Sequence, residues 1–423
     1  MDAETQTESQ KEGHKMESSR LFETALGITA PWHIERIDFD PKLKQLDIHI
    51  NFQRGATFPS TSCDGEYKVY DTKSKTWRHL NFFEHECYLH CRTPRIKTES
   101  GTELVSPPWA GKRPGFTLLF EALVIELCRH MPVNCVSKIV NVDDERLWRL
   151  LDKYVESAHA CEDFSELFSI GMDETSRAKH HQYVTLFVDL KENRTVYVAE
   201  GKGHETVSDF AADLTEHGGD PLNITEVSCD MSPAFIKGVT ASLPEAQITF
   251  DKFHIVKLIN AAVDEVRRRE VASHPILKRT RYVVLKNHQN LTESERIRLR
   301  ELILSKLNLK TVRALNIRES FQNIYNAPTE EVFELLLKKW YFWATHSRLE
   351  PIIRVAKTIK AHWDGILEWK RTQINNGVLE GLNSVVQAAK AKARGFRTFR
   401  NFKIVVYLIT GKQDFGTVNC HCK

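Results

Sequence analysis

Between residues 34 and 100, apolar and polar positions alternate with a two-residue period, as in Leu46-Asp-Ile-His-Ile50, with nothing helical in period. Such alternation belongs to half-buried strands and predicts a small β-rich module over 21–110. Upstream, Met1 to Arg20 is polar throughout and reads as a disordered leader over 1–20. Apolar patterning begins at Leu21, so Met16 serves as a start as well as Met1 does.

From 117 to 155 the period becomes helical. Leu119, Ala122, Leu123, Leu127 and Cys128 make one stripe, ended by Pro132. Val133 to Val140 predicts a short second helix with Val136, Ile139 and Val140 inward. Asn141 suits a left-handed turn, and Asp143 to Val155 predicts a third helix on Leu147, Leu150, Leu151 and Tyr154. Three helices with a tight turn before the last are helix-turn-helix geometry, placed over 111–160. A small helical bundle of another kind fits the pattern equally well. Asp143, Asp144 and Glu145 open the last helix, where they suit its dipole but oppose phosphate.

Beyond 167, strands alternate with helices. Phe168 to Met172, Val184 to Val188, Thr195 to Ala199, Ile224 to Cys229 and Ala246 to Phe250 read as five strands. Val207, Phe210, Ala211 and Leu214 predict a helix between the third and fourth, and Ser232-Pro233 opens another between the fourth and fifth. That order predicts an RNase H-like core with a mixed five-stranded sheet. Residues 255–370 carry only helical period and read as a large insertion. A last helix from Asn376-Gly377 to about Arg394 carries Glu380, Asn383, Gln387 and Arg394 on a polar stripe. Leu382, Val386, Ala389 and Ala393 are expected to pack it on the sheet. The core is thus 165–254 with 371–412, in a multidomain α+β chain.

At 423 residues the chain is too long for one ordinary domain, and 41% hydrophobic with 27% charged residues excludes disordered and collagen-like classes. No apolar run reaches the ~18 residues of a membrane span. Nine scattered cysteines fit reduced thiols and a cytoplasmic protein.

Chemistry enters at the strand ends. Asp173 and Asp230 each close a predicted strand, on the rim where open α/β sheets bind ligands. Singly, such aspartates usually cap turns. On neighbouring strands they would converge, and Glu380 would add a third hard oxygen ligand suited to Mg²⁺ (or Mn²⁺) and to phosphodiester displacement. Asp189, Asp251 and Glu174 are nearby acids of lower rank. From 381 to 413 there are seven basic and no acidic residues, with Phe396, Phe399, Phe402 and Tyr407 interleaved. Lys390, Lys392, Arg394, Arg397 and Arg400 are the candidate DNA-binding residues, since neutralised phosphates release counterions. A solvated helix end is the plainer alternative. Cys63, Cys87 and Cys91 are candidate zinc ligands, with His85 or His90 nearby, but only Cys87 and Cys91 form a close pair. Buried structural thiols are the alternative.

The chain resembles the DDE transposases of bacterial insertion sequences, in the family written as ISL-three, from about residue 21 to 412. The resemblance rests on Leu21-Phe-Glu-Thr-Ala-Leu-Gly27, Pro31-Trp32, Trp77-Arg-His-Leu80, Pro94-Arg95, Pro108-Trp109, Phe116-Thr117 and the block from Met131 to Val140. It continues through Ile170-Gly-Met-Asp-Glu174, Val227-Ser-Cys-Asp-Met231, Phe250-Asp-Lys-Phe-His254, Asn376-Gly-Val-Leu-Glu-Gly-Leu-Asn383 and Gly395-Phe-Arg397. It implies that Asp173, Asp230 and Glu380 are the catalytic, metal-holding acids of an RNase H-like core interrupted by a helical insertion. It also implies double-stranded DNA partners, the terminal inverted repeats and target DNA, bound by a homo-oligomer that is nucleoid-associated when on DNA. The family's N-terminal zinc ribbon has two Cys-x-x-Cys pairs. Here the first keeps only Cys63, with Glu66 in the second cysteine's place, and the second pair is missing from Ile96 to Gly101. The ribbon is degenerate, and zinc stands as an open alternative.

The expected function is therefore metal-dependent cleavage and strand transfer at insertion-sequence ends. A domesticated DNA-binding protein that no longer cuts and a structure-specific nuclease on the same core are the rivals.

Overall fold

A computed structural model of the protein describes residues 19–178, 182–374 and 377–416. The expected leader lies outside these residues except for its last two, which begin a helix over 19–26, and Asn376 lies outside them too. The chain divides into two compact units, with boundaries at His159/Ala160 and Lys412/Gln413.

In the first unit the alternating stretch forms β1 (Trp32–Asp40), β2 (Gln45–Phe52), β3 (Thr57–Pro59), β4 (Glu66–Phe82), β5 (His85–Thr98) and β6 (Gly101–Leu104). They build one mixed sheet in the order β1-β2-β5-β4-β3, with β6 added on β5 and β2 parallel to β5. The two-residue period turns Leu46, Ile48 and Ile50 of β2 and Cys87, Leu89 and Cys91 of β5 onto one buried face. Trp32 and Trp77 both meet Trp109 edge to face, with centroids 5.2 and 6.1 Å away.

The helices that follow are α1 (Leu118–His130), α2 (Val133–Val140) and α3 (Asp144–His159). Asn141 ends α2 in the left-handed conformation, φ 51°, as expected of the tight turn. The inward stripe of α1 differs from the expected one. Phe120, Glu121, Val124, Ile125 and Cys128 are buried, while Leu123 is exposed; on α2, Ile139 is exposed and Val133 buried. The shift has a polar cause. Glu121 is fully buried because its carboxylate accepts from the backbone amides of Lys112 and Arg113 and from the Tyr154 hydroxyl. A helix turned to bury Leu123 would leave those donors without an acceptor.

In the second unit the sheet comprises β7 (Ser169–Ala178), β8 (Gln182–Asp189), β9 (Arg194–Glu200), β10 (Glu226–Cys229) and β11 (Gln247–Phe250), in the order β11-β10-β7-β8-β9. The pairs β10–β11 and β10–β7 are parallel; β7–β8 and β8–β9 are antiparallel. Helices α4 (Glu205–Glu216) and α5 (Pro233–Ser242) connect β9 to β10 and β10 to β11. After β11 come α6 (Lys252–Glu270), α7 (Arg281–Leu285), α8 (Glu293–Leu304), α9 (Lys310–Ile324), α10 (Glu330–Thr345), α11 (Glu350–Ala361) and α12 (Trp363–Thr372). Then α13 (Gly377–Ala393) and α14 (Phe399–Thr410) return to the sheet. The helical stretch shares its main core with the sheet: Ile170, Val227 and Phe250 lie in one apolar cluster with Ile259, Phe321, Trp340 and Ile366. Gly365 allows α12 to lie directly on β11, since a Cβ there would meet the Phe250 ring at 2.5 Å.

Acid should loosen the first unit through His79. Its ring is buried, hydrogen-bonds Thr117 Oγ1 at 2.9 Å, and is held down to a pKa of about 4 by burial and then by the charge of Arg78. The unfolded chain takes up this proton near 6.5 and the folded one only near 4, so stability is lost as pH falls through that window. The loss amounts to at most about 3 kcal/mol. Urea unfolding at pH 7.5 and 4.5 should show a smaller pH effect for His79→Gln than for the wild type.

Candidate active site

The site begins with strand register. β7 pairs with β10 only from Ser169↔Glu226 to Gly171↔Ser228. Two residues further along each strand are Asp173 and Asp230, which the same register sets side by side. Asp230 follows the last residue of β10, as its pattern predicts. Asp173 does not end its strand: β7 runs on to Ala178, kept extended by antiparallel pairing with β8. The apolar run stops at Asp173 because β7 there loses its β10 neighbour.

α13 carries Glu380 in its first turn and crosses β7 at Gly171, where a Cβ would meet Leu379 Cδ1 at 2.5 Å. Its buried contacts are Leu379 and Val386; Leu382, Ala389 and Ala393, expected to face the sheet, are only partly covered. The polar stripe makes the contact instead. Asn383 Nδ2 donates to Asp173 Oδ2, Gln387 Nε2 to Thr175 Oγ1, and Lys390 Nζ to the Ser176 carbonyl. The physical reason is that β7 beyond Gly171 presents an unpaired polar edge that needs partners.

Asp173, Asp230 and Glu380 line one cavity of about 240 Å³, together with Asp251, Phe253, His254 and Asn383. Burial pushes the Asp173 carboxyl above the usual aspartate range, against the opposing pull of His254. His254 lies between two acids, Nδ1 3.9 Å from Asp230 Oδ2 and Nε2 3.8 Å from Asp251 Oδ2. Asp251 Oδ1 is committed to capping α6 through the Phe253 amide at 2.8 Å. Asp189, by contrast, pairs with Ile170 in register and accepts from the amides of Lys191 and Glu192, a turn-closing role. Glu174 does not line the cavity; its carboxyl is 3.8 Å from Lys202.

The donor set suits a hard divalent cation. Among the described residues, none of Asp173, Asp230 and Glu380 is ion-paired to a lysine or arginine. Asn383 Oδ1 is buried in the same place without a hydrogen-bond partner. Sequence reasoning did not assign roles to His254 or Asn383, although both stand inside motifs that were noted, one after the fifth strand and the other on the stripe of Glu380.

The remaining expected site residues lie elsewhere. Lys392, Arg394, Arg397 and Arg400 are exposed, while Lys390 is spent on Ser176. The interleaved aromatics are not a stacking surface, since Phe402 and Tyr407 are buried and Phe396 packs on Phe402 at 5.6 Å. Cys87 and Cys91 are buried in the β-sheet core, and burial pushes both thiols up to about 12. Cys63 sits on the β3–β4 connection, 3.7 Å from Ser100 Oγ. Among the described residues the three thiols form no metal-holding group.

A family model described as a transposase matches residues 170–406, and one for the helix-turn-helix domain of transposase family ISL3 matches residues 105–155. The chain belongs to the ISL3 family of DDE transposases, enzymes that cut and transfer DNA strands. It is similar to the transposase for insertion sequence element IS1001 of Bordetella parapertussis, 27% identical over 78% of this chain and 83% of the relative. It is likewise similar to the transposase for insertion sequence element IS1557 of Mycobacterium tuberculosis, 26% identical over 90% of this chain and 93% of the relative. The helix-turn-helix match implies DNA as a partner. Among the described residues no helix is long and apolar enough to cross a membrane.

The cysteine geometry carries its own expectation. Purified protein should contain well under one zinc per chain by elemental analysis, and Cys87→Ser should leave that content unchanged. Near-stoichiometric zinc that disappears in Cys87→Ser would show that the thiols rearrange to bind it.

Proposed function

We propose that Asp173, Asp230 and Glu380 form the catalytic, metal-holding set of this transposase, on an RNase H-like core built from 165–254 and 371–412. The carrying observation is the β7–β10 register, which sets Asp173 beside Asp230 where Glu380 also lines the cavity. The sheet order β11-β10-β7-β8-β9, with β7, β8 and β9 antiparallel to one another in turn and β10 and β11 parallel to β7, supports the RNase H-like reading. In this reading 255–370 is the insertion, 111–160 the helix-turn-helix region, and 21–110 a β-rich, degenerate zinc-ribbon-like module.

The assigned ion is Mg²⁺ or Mn²⁺, held by the three carboxylates. When bound it neutralises charge and supplies Lewis-acid assistance to in-line displacement at phosphorus. Asn383 orients Asp173 through its amide, and its free carbonyl oxygen is placed to accept from an ordered water. His254 lies between Asp230 and Asp251, within 4 Å of both. At an element end, the oxygen of water bonds to phosphorus as the bond to the 3′ oxygen breaks, leaving a 3′ hydroxyl and a 5′ phosphate. That hydroxyl then displaces a 3′ oxygen in target DNA, so one bond is made for each one lost. Pairing two ends calls for a homo-oligomer on the terminal inverted repeats.

Asp173→Asn, Asp230→Asn and Glu380→Gln should each lower strand cleavage by at least ~10³-fold, with double variants little worse than single ones. Asp251→Asn and Asp189→Asn should be milder, because Asp251 caps α6 and Asp189 closes a turn. The assay is cleavage of end-labelled terminal-repeat DNA in Mg²⁺, with a gel shift in EDTA to confirm retained binding. Wild-type-like cleavage by Glu380→Gln would remove that acid from the set. A wild type that binds one DNA sequence tightly and never cuts it would favour a domesticated binder.

Exposed Lys392, Arg394 and Arg397 should contact backbone phosphate without reading sequence. Converting all three to Gln should weaken every duplex alike and reduce the slope of log affinity against log salt by about 0.9 per lost contact. A loss confined to terminal-repeat DNA, with the slope unchanged, would mean that these residues read bases.

A further inference from the structure

After α14 the chain leaves the second unit: up to Lys412 it belongs there, and from Gln413 it is part of the first. It is anchored on both sides of that crossing. Before it, Thr410 Oγ1 lies 2.9 Å from Thr195 Oγ1 on β9, and Lys412 Nζ donates to the Glu192 carbonyl at 2.6 Å. Lys412 is in the left-handed conformation, φ 52°, which turns the chain out of its helix. After it, burial alternates. Gln413 and Phe415 are buried, while Asp414 and Gly416 are exposed, as in an extended segment with one face down.

The buried face of this segment meets the three-helix region. Arg129 of α1 lies over the Phe415 ring, 5.4 Å from its centroid, and the Tyr154 ring of α3 meets it edge to face at 6.3 Å. Tyr154 is the residue whose hydroxyl donates to the buried carboxylate of Glu121 on α1. Phe415 therefore supports the side chain that makes a polar link between α1 and α3. Helices of 13, 8 and 16 residues hold their shape through packing more than through propensity. Emptying the space of one aromatic ring beside Tyr154 would let α1 and α3 shift.

We propose that Gln413–Phe415 is a latch that completes the helix-turn-helix region and couples its binding of DNA to strand cleavage in the second unit. Five positions separate Thr410 from Phe415, a reach of at most about 18 Å. A change in the seating of Phe415 is therefore passed to β9, two strands from Asp173 in the sheet. Seating and DNA binding are linked reciprocally: DNA protects the latch as the latch favours DNA. The coupling rests on the reading that Asp173, Asp230 and Glu380 cut DNA, whereas the latch itself does not.

The test uses the full-length protein. Phe415→Ala should speed amide hydrogen exchange across 118–159 at least tenfold and weaken duplex binding in EDTA about tenfold, with exchange in β7, β8 and β9 unchanged. Phe415→Leu refills most of the space and should show the same pattern at about threefold, which decides the case if the alanine variant unfolds throughout. Slack is tested separately. A Gly-Ser-Gly-Ser insertion between Lys412 and Gln413 keeps both anchors, so binding should stay within twofold of wild type. Single-turnover cleavage of saturating element-end DNA in Mg²⁺ should nevertheless fall at least tenfold. Wild-type cleavage by the inserted chain would overturn the coupling. Unchanged exchange and binding in both Phe415 variants would overturn the latch. A wild type that cleaves in neither Mg²⁺ nor Mn²⁺, while Phe415→Ala still loses binding, would sink the catalytic reading and leave the latch standing.

Discussion

Everything at the candidate site depends on where β7 loses one of its two neighbours. As long as β10 pairs with it, from Ser169 to Gly171, the strand is walled on both edges and can be apolar. Two residues later it carries Asp173, beside Asp230 at the end of β10. A slip of one residue in that pairing would turn one carboxylate to the other face. The buried partners Ile170, Met172, Val227 and Cys229 make such a slip costly, because each would exchange core for polar surroundings.

The third acid arrives from 150 positions further along the chain than Asp230, so its placement depends on packing. Gly171 leaves room for Leu379, and Asn383 and Gln387 tie α13 to the open edge of β7. Glu380 lies one residue from the first contact and three from the second. A helix held at both points has little freedom to move its glutamate away from the aspartates.

The helical stretch between β11 and α13 is held by buried polar anchors as well as by its apolar core. Glu270, at the end of α6, accepts from the amides of Lys310 and Thr311 and from the Thr311 hydroxyl, supplying the cap that Leu309 cannot provide. Buried Arg318 satisfies the carbonyls that end α7. The first contact ties α9 to α6 and the second ties it to the end of α7.

Local order was legible in the residues alone. The alternation at 34–100, the three helices with Asn141 at the turn, and the succession of strands and helices after 167 all follow from periodicity and turn chemistry, which act over a few residues. What periodicity cannot supply is the identity of the neighbour. Asp173 looked like a strand end because β10 stops, although β8 continues. Leu123 looked buried because nothing in α1 reveals that Glu121 must reach Lys112, Arg113 and Tyr154. Leu382, Ala389 and Ala393 looked like the sheet-facing side of α13 because the bare edge of β7 lies some 200 residues earlier in the chain. Cys63, Cys87 and Cys91 looked like possible co-ligands, yet the pleat turns only the last two into the core. His254 and Asn383 acquired meaning only beside Asp230 and Asp173, since a hydrogen bond or an ion pair is set by distance in space, which only the tertiary structure decides.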